Sequence, residues 1–462
     1  MIERDKSFFT LVDDPKFFEF NNINLIKYFY DEYENQKLFN LEPVYRKDLI
    51  NKNRWLSLVK YLSPVGFTKA LIFMIKVRKS KKEKVLFYGS SDNRHVNVSG
   101  VIYDLYNYNI IRTLSREKVI IFQNKRDTSQ KVYPTDLCLM DFAIPQIFLL
   151  MILLLFRFNK LRKFASQINK KYSDLGFTNK KIIWLTIFFW AKYYVYTKVL
   201  SFIKVKSVLS ICHYSKHPFN LACKRNSIPN VELMHGHVMK SHTKYNIPNL
   251  PPQFYLPMRT LLPDKFGAYG NYWKENLIYG KLFDEKQIEL IGYYLLADPL
   301  KKKNKINGKV TILITTQAFV QKEILEYVKF LKDKLSSKNV KIIIKPHPAE
   351  DPNEYIKIKD DNLVYVSTDD IYQLLNMSDV HIGVYSTVLF EAIRYNVINY
   401  VLYTEKFSHF CDEIIQSRVA LKLKTEEIPS FENPQEHNTE YYFAEYNERL
   451  LKRIVFDYES VN

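Results

Sequence analysis

The tetrapeptide Lys345-Pro346-His347-Pro348 follows the apolar run VKIII, which is typical of a buried parallel strand. The two prolines restrict the backbone on both sides of His347, so that its imidazole is held in one orientation. Such an imidazole can donate a hydrogen bond to a phosphate oxygen, and Lys345 adds a positive charge beside it. The alternative is a rigid turn at the end of a strand, in which the histidine has no ligand.

A second group of histidines follows the apolar run VELM, where His235 and His237 stand on either side of Gly236. Glycine lets the backbone turn sharply and lets a ligand approach closely. We therefore take His235 as the candidate general base for a hydroxyl group, with Gly236 and His237 beside it in a cleft. Together with His242 the spacing is formally a metal pattern, but the partners of a closed zinc site are not spaced nearby, so we predict no metal. His213 follows another apolar run, SVLSIC, and is expected to line the same cleft unless its role is purely structural.

The pair Ser386-Thr387 lies between the predicted strand VHIG and the predicted helix VLFEAIRY. Free backbone N–H groups and the dipole at a helix N-terminus attract anions, and both hydroxyls could bind the same phosphates. Glu391 comes one helical turn after Thr387, where it could reach a ribose hydroxyl, as acidic residues do in nucleotide sites. The alternative is structural: one hydroxyl is an ordinary N-cap, and Glu391 interacts with the helix dipole.

Short apolar runs that alternate with helical segments surround these motifs. Such runs predict parallel strands that are covered by helices on both faces. The predicted fold class is α/β, with two Rossmann-like parallel-sheet domains that face a cleft and added helices in the N-terminal half. Ligands of such sheets bind beyond the carboxyl ends of the strands, where the motifs stand. The predicted strands are 84–88, 119–122, 207–212, 231–234, 310–315, 340–344, 363–366, 380–383 and 398–402.

The chain carries a formal net charge of +19 and is rich in tyrosine and phenylalanine, with 34 and 32 residues. A charge this high indicates a polyanionic partner: nucleic acid, an acidic lipid surface or a phosphorylated substrate. The lysines are spread along the chain without a nucleic-acid-binding motif, so we predict no nucleic-acid partner. Four cysteines without a CxxC pair exclude a disulfide framework, and the N-terminus has no secretory signal, which predicts a cytoplasmic protein.

Two segments raise the question of a membrane. The apolar run 142–156 has 15 residues, fewer than the ~20 that cross a bilayer, and four basic residues follow it by position 163. Segment 181–203 is rich in aromatic residues. Burial in a protein core is one interpretation of both segments. The other is peripheral contact with the anionic inner membrane, because Trp, Tyr and basic residues suit the headgroup layer.

The order of the motifs, His-Gly, then KPHP, then Ser-Thr before a helix with Glu-Ala, resembles that of GT-B glycosyltransferases that build bacterial surface polymers. The similarity is to capsular polysialyltransferases, capsule Kdo transferases and CDP-glycerol glycerophosphotransferases. It is carried by IPNVELMHGH, LPDKFGAYGNYW, VKIIIKPHPAE and GVYSTVLFEA, within about 209–402. The resemblance implies that His347, Ser386 and Thr387 contact the nucleotide phosphates and that Glu391 binds the ribose.

The resemblance implies an enzyme that moves a sugar from a nucleotide-sugar donor to a glycan or lipid-linked glycan acceptor in capsule, lipopolysaccharide or other surface-polysaccharide synthesis. His347, helped by Lys345, would stabilise the departing phosphate, and His235 would act as base. No DxD triplet occurs, so we expect no metal and no cofactor. Three alternatives stay open: a polyol-phosphate transferase or a sugar-nucleotide epimerase on the same scaffold, and a basic nucleic-acid-binding protein.

The length of 462 residues suits more than one domain. We expect a helical extension over 1–80 and an acceptor-side Rossmann-like domain over 81–300, with a helical insertion at 140–205. A nucleotide-sugar-binding domain is expected over 308–440, followed by a C-terminal helix over 441–462. The lysine-rich segment 299–308 is the predicted linker.

Overall fold

The protein is described by a computed structural model over residues 8–40, 64–80, 83–89, 95–98, 101–123, 135–295, 309–317, 320–335, 339–347, 350–360, 363–395, 397–432 and 437–457. Two parallel β-sheets, of seven and six strands, form the centres of two α/β domains, which confirms the predicted fold class. The predicted linker 299–308 lies outside the described residues. The predicted domain boundaries remain a prediction.

The first domain contains the seven-stranded sheet and two short antiparallel pairs. Its strands are Glu19–Phe20 (β1), Ile23–Asn24 (β2), Val85–Tyr88 (β3), His95–Val98 (β4), Val101–Asp104 (β5), Val119–Gln123 (β6), Leu137–Cys138 (β7), Ser207–Ser210 (β8), Asn230–Leu233 (β9), Lys265–Ala268 (β10) and Ile288–Leu290 (β11). The large sheet has the spatial order β11-β10-β9-β8-β3-β6-β7, and all its strands are parallel. Every residue of β3, β6, β8 and β9 is buried, because helices cover both faces.

The second domain contains the six-stranded parallel sheet. Its strands are Val310–Thr315 (β12), Val340–Lys345 (β13), Val364–Val366 (β14), Val380–Gly383 (β15), Ile398–Leu402 (β16) and Leu421–Leu423 (β17). The spatial order is β14-β13-β12-β15-β16-β17. The apolar runs VTILIT, VKIII and INYVL fold as strands because their side chains are buried on both faces of the sheet.

Helices cover both sheets, and a further group of helices extends the first domain. The helices are Phe8–Leu11 (α1), Ile26–Asn40 (α2), Pro64–Lys79 (α3), Leu105–Leu114 (α4), Ala143–Lys171 (α5), Asn179–Ile203 (α6), His217–Arg225 (α7), Tyr255–Arg259 (α8), Asn271–Tyr279 (α9), Gln321–Leu335 (α10), Asn353–Ile356 (α11), Ile371–Met377 (α12), Thr387–Ala392 (α13), Ser408–Gln416 (α14), Thr439–Tyr442 (α15) and Glu448–Phe456 (α16). In α10 the buried residues include Ile324, Val328, Leu331 and Leu335. This spacing is that of one helix face, so α10 covers the sheet with an apolar stripe.

In both sheets the chain adds strands first on one side of the first strand and then on its other side. The chain passes from β3 to β6 and β7 on one side, and then places β8 to β11 on the other side. The second sheet repeats this plan, with β13 and β14 on one side of β12 and β15 to β17 on the other. A crevice therefore opens beyond the carboxyl ends of β3 and β8, and another beyond those of β12 and β15. In doubly wound sheets these crevices are the places where ligands bind.

The C-terminal segment returns to the first domain. The Ser207 hydroxyl donates to the carbonyl of Val455 in α16 over 2.8 Å. Gly292 has a φ of +77°, and a Cβ atom placed on it would lie 2.1 Å from the carbonyl oxygen of Glu445. Only glycine allows this close approach of the two backbones. The last helix thus belongs to the packing of the first domain, although it follows the second domain in sequence.

The N-terminal helix α2 is fixed by a buried ionic cluster around Asp31. Its carboxylate accepts from the Lys27 ammonium over 2.7 Å and lies 2.6 Å from Nε2 of His217. Lys244 donates to the carbonyl of Asp31 over 2.6 Å. Burial alone would raise the pKa of Asp31, but the charges of Lys27 and His217 hold it below the usual range. This cluster binds the extension to helix α7, which follows strand β8.

Several predicted elements differ from the observed ones. The run VIYDLYNY at 101–108 predicts a helix, but residues 101–104 form strand β5 of a hairpin and the helix begins only at Leu105. Asp104 caps that helix by accepting from the amide of Asn107 over 2.9 Å. The prediction that 398–402 is the last strand is wrong, because β17 pairs with it in parallel. Strands β1, β2, β4, β7, β10, β11 and β17 were missed, since runs of two to four residues carry little pattern.

The helical segment at 140–205 consists of α5 and α6, which pack against each other. Helix α5 runs well beyond the apolar stretch that the sequence shows. Among the described residues, Leu139–Lys171 is the one helical segment long and apolar enough to cross a membrane by length and composition. Only 22% of its most apolar part is buried, so the interpretation of this segment as a buried core helix is wrong.

Candidate functional site

The two domains meet where the turns after β9 and β15 face each other. A hydrogen bond of 3.2 Å joins Nδ1 of His237 to Oγ1 of Thr387. A Cβ atom on Gly236 would lie 3.5 Å from the same hydroxyl, so the glycine turn stands directly opposite Thr387. Two motifs that are 150 residues apart in sequence therefore meet at the boundary of the two domains, and the region around this contact is called the cleft below.

A second contact holds the cleft in this arrangement. Glu413 of helix α14 accepts from the backbone amides of Lys240 and Ser241, and from the Ser241 hydroxyl over 2.7 Å. His242 follows in the same loop, and burial together with nearby His237 lowers the pKa of His242 to about 3. This imidazole is therefore neutral at physiological pH and adds no charge to the cleft.

The Ser386 side chain serves as the N-cap of helix α13. Its hydroxyl accepts from the amide of Val388 over 3.2 Å and is almost fully buried. This is the structural role that the sequence left open as an alternative. Thr387, the first residue of the helix, directs its hydroxyl to the opposite domain instead.

A buried polar chain supports this turn from below. The His381 imidazole lies 2.9 Å from the Thr315 hydroxyl and 2.7 Å from Oδ1 of Asn399. The Asn399 amide group donates to the carbonyls of Leu389 and Val419, so its oxygen must accept from His381. Burial lowers the pKa of His381 to about 4, and the neutral ring thus donates to Asn399 and accepts from Thr315. Sequence patterns pointed to none of these roles; the only signal was a histidine inside the apolar run VHIG.

His347 stands at the end of β13, and its backbone is fixed by Glu350. The His347 amide donates to Oε2 of Glu350 and to Oγ1 of Thr316, each over 2.9 Å. Tyr355 donates to the other oxygen of Glu350 over 2.7 Å. Pro348 lies outside the described residues. The turn that carries the imidazole is therefore held by a carboxylate three residues later, which the sequence interpretation missed.

Lys345, the last residue of β13, is half-buried. Burial lowers the pKa of its ammonium group, and the carboxylates of Asp370 and Asp369 oppose that shift. Asp370 also caps helix α12 by accepting from the amides of Tyr372 and Gln373. The carboxylates that act on Lys345 thus belong to the neighbouring strand-to-helix turn.

Glu391 is buried, and its carboxylate is bonded to tyrosines. Oε1 accepts from Tyr293 of the first domain over 3.0 Å and from Tyr372 over 3.5 Å. Burial and the charge of Glu391 raise the pKa of Tyr293 well above its usual value. In this arrangement Glu391 links the two domains through Tyr293, so a ribose hydroxyl would have to replace a tyrosine as its partner.

His235 lies half-buried beyond the carboxyl ends of β8 and β9. Its Nε2 atom lies 3.0 Å from the sulfur of Cys212, which follows β8. Tyr106 donates to the carbonyl of His235 over 2.9 Å. Both contacts orient the candidate base at the crevice of the first sheet.

His213 does not reach the cleft surface. It is fully buried, and its Nδ1 atom lies 2.7 Å from Oε2 of Glu232. Tyr245 donates to the other oxygen of Glu232 over 2.8 Å. Burial alone would raise the pKa of Glu232, but the charge and hydrogen bond of His213 hold it below the usual range. His213 therefore supports the floor of the crevice rather than its opening.

Within the described part of the chain, no three His, Cys, Asp or Glu side chains are grouped so that they could hold a metal ion. The groups near the cleft that could stabilise a negative charge are imidazoles, one lysine and backbone amides. This composition suits an anion better than a cation.

Residues 314–405 match the family model described as CDP-Glycerol:Poly(glycerophosphate) glycerophosphotransferase. The match covers about a fifth of the chain and contains His347, Ser386, Thr387 and Glu391. It confirms the resemblance to CDP-glycerol-type transferases over these residues and supports a transferase. A search of curated proteins gave no significant match.

Solved structures with a similar backbone fold include sugar-nucleotide enzymes. UDP-GlcNAc 2-epimerase from Methanocaldococcus jannaschii has 13% identity and a TM-score of 0.47, and the alignment covers 81% of this chain and 99% of that one. The glycosyltransferase SnogD from Streptomyces nogalater has 11% identity and a TM-score of 0.43, with 82% and 92% covered. A variant of the wall teichoic acid polymerase TagF has 12% identity and a TM-score of 0.40, with 76% and 79% covered. At these low values the fold assignment rests on the strand orders given above.

Proposed function

We propose that the protein is a transferase of bacterial cell-surface polymer synthesis, which moves a group from a nucleotide-activated donor to a glycan or lipid-linked glycan acceptor. The main support is the contact between His237 and Thr387, which brings the crevices of the two sheets together. A donor in one crevice and an acceptor in the other would then meet at the domain boundary. The family match over the second domain supports this assignment of the donor side.

On the donor side, the phosphates would lie between His347 and the turn at Ser386-Thr387. Transfer breaks the bond between the donor group and its phosphate, which leaves negative charge on the departing nucleotide. Hydrogen-bond donors that are already oriented stabilise this charge more in the transition state than in the ground state. Glu350 and the chain through His381 hold these donors in place, and Lys345 adds positive charge nearby.

On the acceptor side, His235 would take the proton of the attacking hydroxyl. A neutral imidazole is required. Because Nδ1 of His235 is buried, the hydroxyl would have to approach Nε2 in place of the Cys212 sulfur, which lies 3.0 Å from that atom. The proton passes to the imidazole as the new bond forms, and the departing nucleotide phosphate carries the negative charge. The reaction as proposed requires no metal and no cofactor.

The transferred group is a sugar in the first form of this proposal. A second form, transfer of a polyol phosphate, is favoured by the family match, since that family is described as glycerophosphotransferase. In that form the acceptor oxygen attacks phosphorus, and the nucleotide leaves from the same site. A sugar-nucleotide epimerase would use the donor side alone and would need no acceptor.

The direct test is a thermal-shift screen of the wild-type protein against UDP-, GDP-, CDP- and CMP-linked donors, repeated with EDTA. A bound donor stabilises the folded state, so one nucleotide class should raise the melting temperature, with or without EDTA. His347→Ala should reduce that shift and leave the melting temperature of the free protein unchanged. Equal shifts in both proteins, or no shift with any donor, would contradict the proposal.

A further inference from the structure

An exposed apolar surface covers helices α3, α5 and α6 of the first domain. Of the seventeen large apolar side chains that are exposed in the described part of the chain, twelve belong to these three helices. Helix α5 contributes six, namely Ile144, Phe148, Met151, Leu155, Phe156 and Phe158. Soluble proteins rarely gather exposed apolar side chains in this way unless the surface binds something.

Five of the six exposed apolar side chains of α5 lie on one face. Ile144, Phe148, Met151, Leu155 and Phe158 are spaced alternately by four and three residues, which is the spacing of a single helix face. Leu155 and Phe148 are 74% and 63% exposed. The opposite face is buried in the protein, where α5 packs along α6. Helix α5 is therefore apolar on the side that the rest of the chain leaves uncovered.

The charges of these helices have one sign. Helices α3, α5 and α6 contain four, six and four Lys or Arg residues and no Asp or Glu. The basic residues of α5 begin where its apolar stretch ends, with Arg157, Lys160, Arg162 and Lys163, all exposed. An apolar stripe next to purely basic side chains is complementary to the acyl and headgroup layers of an anionic bilayer. At the start of α6, Trp184 stacks on exposed Phe188 at 5.4 Å, which suits the same boundary.

We propose that this surface docks on an anionic phospholipid bilayer, with the apolar stripe of α5 in the acyl boundary and residues 157–163 at the headgroups. The geometry favours docking over a membrane span. The whole helix could cross a bilayer by length and composition. Its stretch without a charged residue, 143–156, is however only ~21 Å long, less than the ~30 Å of the hydrocarbon layer. The buried face of α5 is also covered by protein, so lipid cannot surround the helix. This docking places the chain at the membrane and does not depend on the transfer reaction.

The test is flotation of the purified full chain with phosphatidylcholine vesicles, with and without phosphatidylglycerol. The wild type should float only with the anionic vesicles. The triple variant Phe148→Ser, Met151→Ser, Leu155→Ser should bind about 100-fold more weakly, because it removes three side chains from the acyl boundary. The matched control is Leu256→Ser, Ile356→Ser, Ile428→Ser, which changes exposed apolar residues outside the three helices and should bind like the wild type.

A variant with fewer basic residues measures how much the contact with the lipid headgroups contributes to membrane binding. Arg157→Gln, Arg162→Gln, Lys163→Gln should weaken binding at least about ten-fold, and added salt should weaken wild-type binding in the same way. Lys160 is left unchanged because it donates to Asn21. Circular dichroism and the melting temperature show whether each variant is folded.

Four outcomes would overturn the docking proposal. The first is wild-type protein that stays in solution with anionic vesicles, and the second is a triple variant that floats as well as the wild type. The third is resistance of the membrane-bound protein to alkaline extraction, which would indicate a span. The fourth is a wild-type dimer that the triple variant dissociates, without lipid binding by either, which would assign the surface to a second copy of the chain.

Discussion

The crevices of the two sheets are built from contacts of very different range. In the second domain, Ser386 caps a helix two residues away, and Glu350 fixes His347 three residues away. In the first domain, Tyr106 holds His235 across 129 residues, and Asp31 and His217 are 186 residues apart. The second crevice is therefore encoded in short motifs, whereas the first depends on the folding of the whole domain. The family match falls within the second domain alone, in line with this difference.

The comparison predicts that the largest effect on stability arises in the first domain. Asp31→Ala leaves Lys27, Lys244 and His217 around an empty site, which should lower the free energy of unfolding by about 3–5 kcal/mol. Urea unfolding measures this loss. Asp13→Ala is the control, because that carboxylate is exposed, and it should leave the midpoint close to that of the wild type. A small effect of Asp31→Ala would show that the first domain does not depend on this cluster.

The largest effect on turnover is expected in the second domain. His347→Ala should lower kcat by about 100- to 1,000-fold, since it removes a donor to the departing phosphate. The melting temperature should stay the same, because the backbone of the turn is held by Glu350 and Thr316. His437→Ala, which changes a histidine without an assigned catalytic role, should retain full activity. Wild-type turnover in His347→Ala would remove the role assigned to the motif.

The pH dependence of stability involves buried histidines in both domains. The pKa of His381 is about 4 and that of His242 about 3 in the folded chain, below the value of about 6.5 in an unfolded chain. Between these values the unfolded state binds more protons, so stability is fully present above pH 6.5 and falls as the pH decreases, by about 1.4 kcal/mol per pH unit for each histidine. Urea unfolding at pH 7, 6 and 5 should show this decline, with a shallower slope in His381→Gln. Identical slopes would mean that His381 is not buried as a neutral ring.

The smallest effect is expected for the contact that joins the two domains. Thr387→Val keeps the shape of the side chain but removes the bond to His237, which should lower kcat/KM by about ten-fold. In a double-mutant cycle with His237→Ala, the second substitution should add little to the first. Fully additive losses in the cycle would show that the two side chains act separately.

Ser386→Ala should instead lower the free energy of unfolding, by about 1 kcal/mol, because it removes an N-cap.

The sequence predicted the second domain more completely than the first. The runs VTILIT, VKIII and VHIG predicted strands, and the motifs after them stand beyond strand ends as expected. The role of Glu391 was less accessible, because its partner Tyr293 lies in the other domain. Contacts of this kind leave no local sequence pattern, since the residues around Glu391 do not indicate that it contacts a tyrosine 98 residues earlier. For the same reason the cluster around Asp31 and the burial of His213 could not be predicted.

The helices of the first domain show a second limit of sequence patterns. The apolar run at 142–156 is compatible with a core helix and with a lipid-facing one, because composition does not say which side is covered. The structure decides this point, since Leu153 is buried while Leu155 is 74% exposed. Packing against α6 determines which side of α5 remains uncovered.

The central claim is that the two crevices together transfer a group from a nucleotide donor to an acceptor. Its most direct test is the release of free nucleotide from the donor that stabilises the protein, measured with and without a glycan or lipid-linked glycan acceptor. Nucleotide should appear only when the acceptor is present, one molecule for each group transferred. Conversion of the sugar nucleotide without an acceptor, or no consumption of any donor, would contradict it.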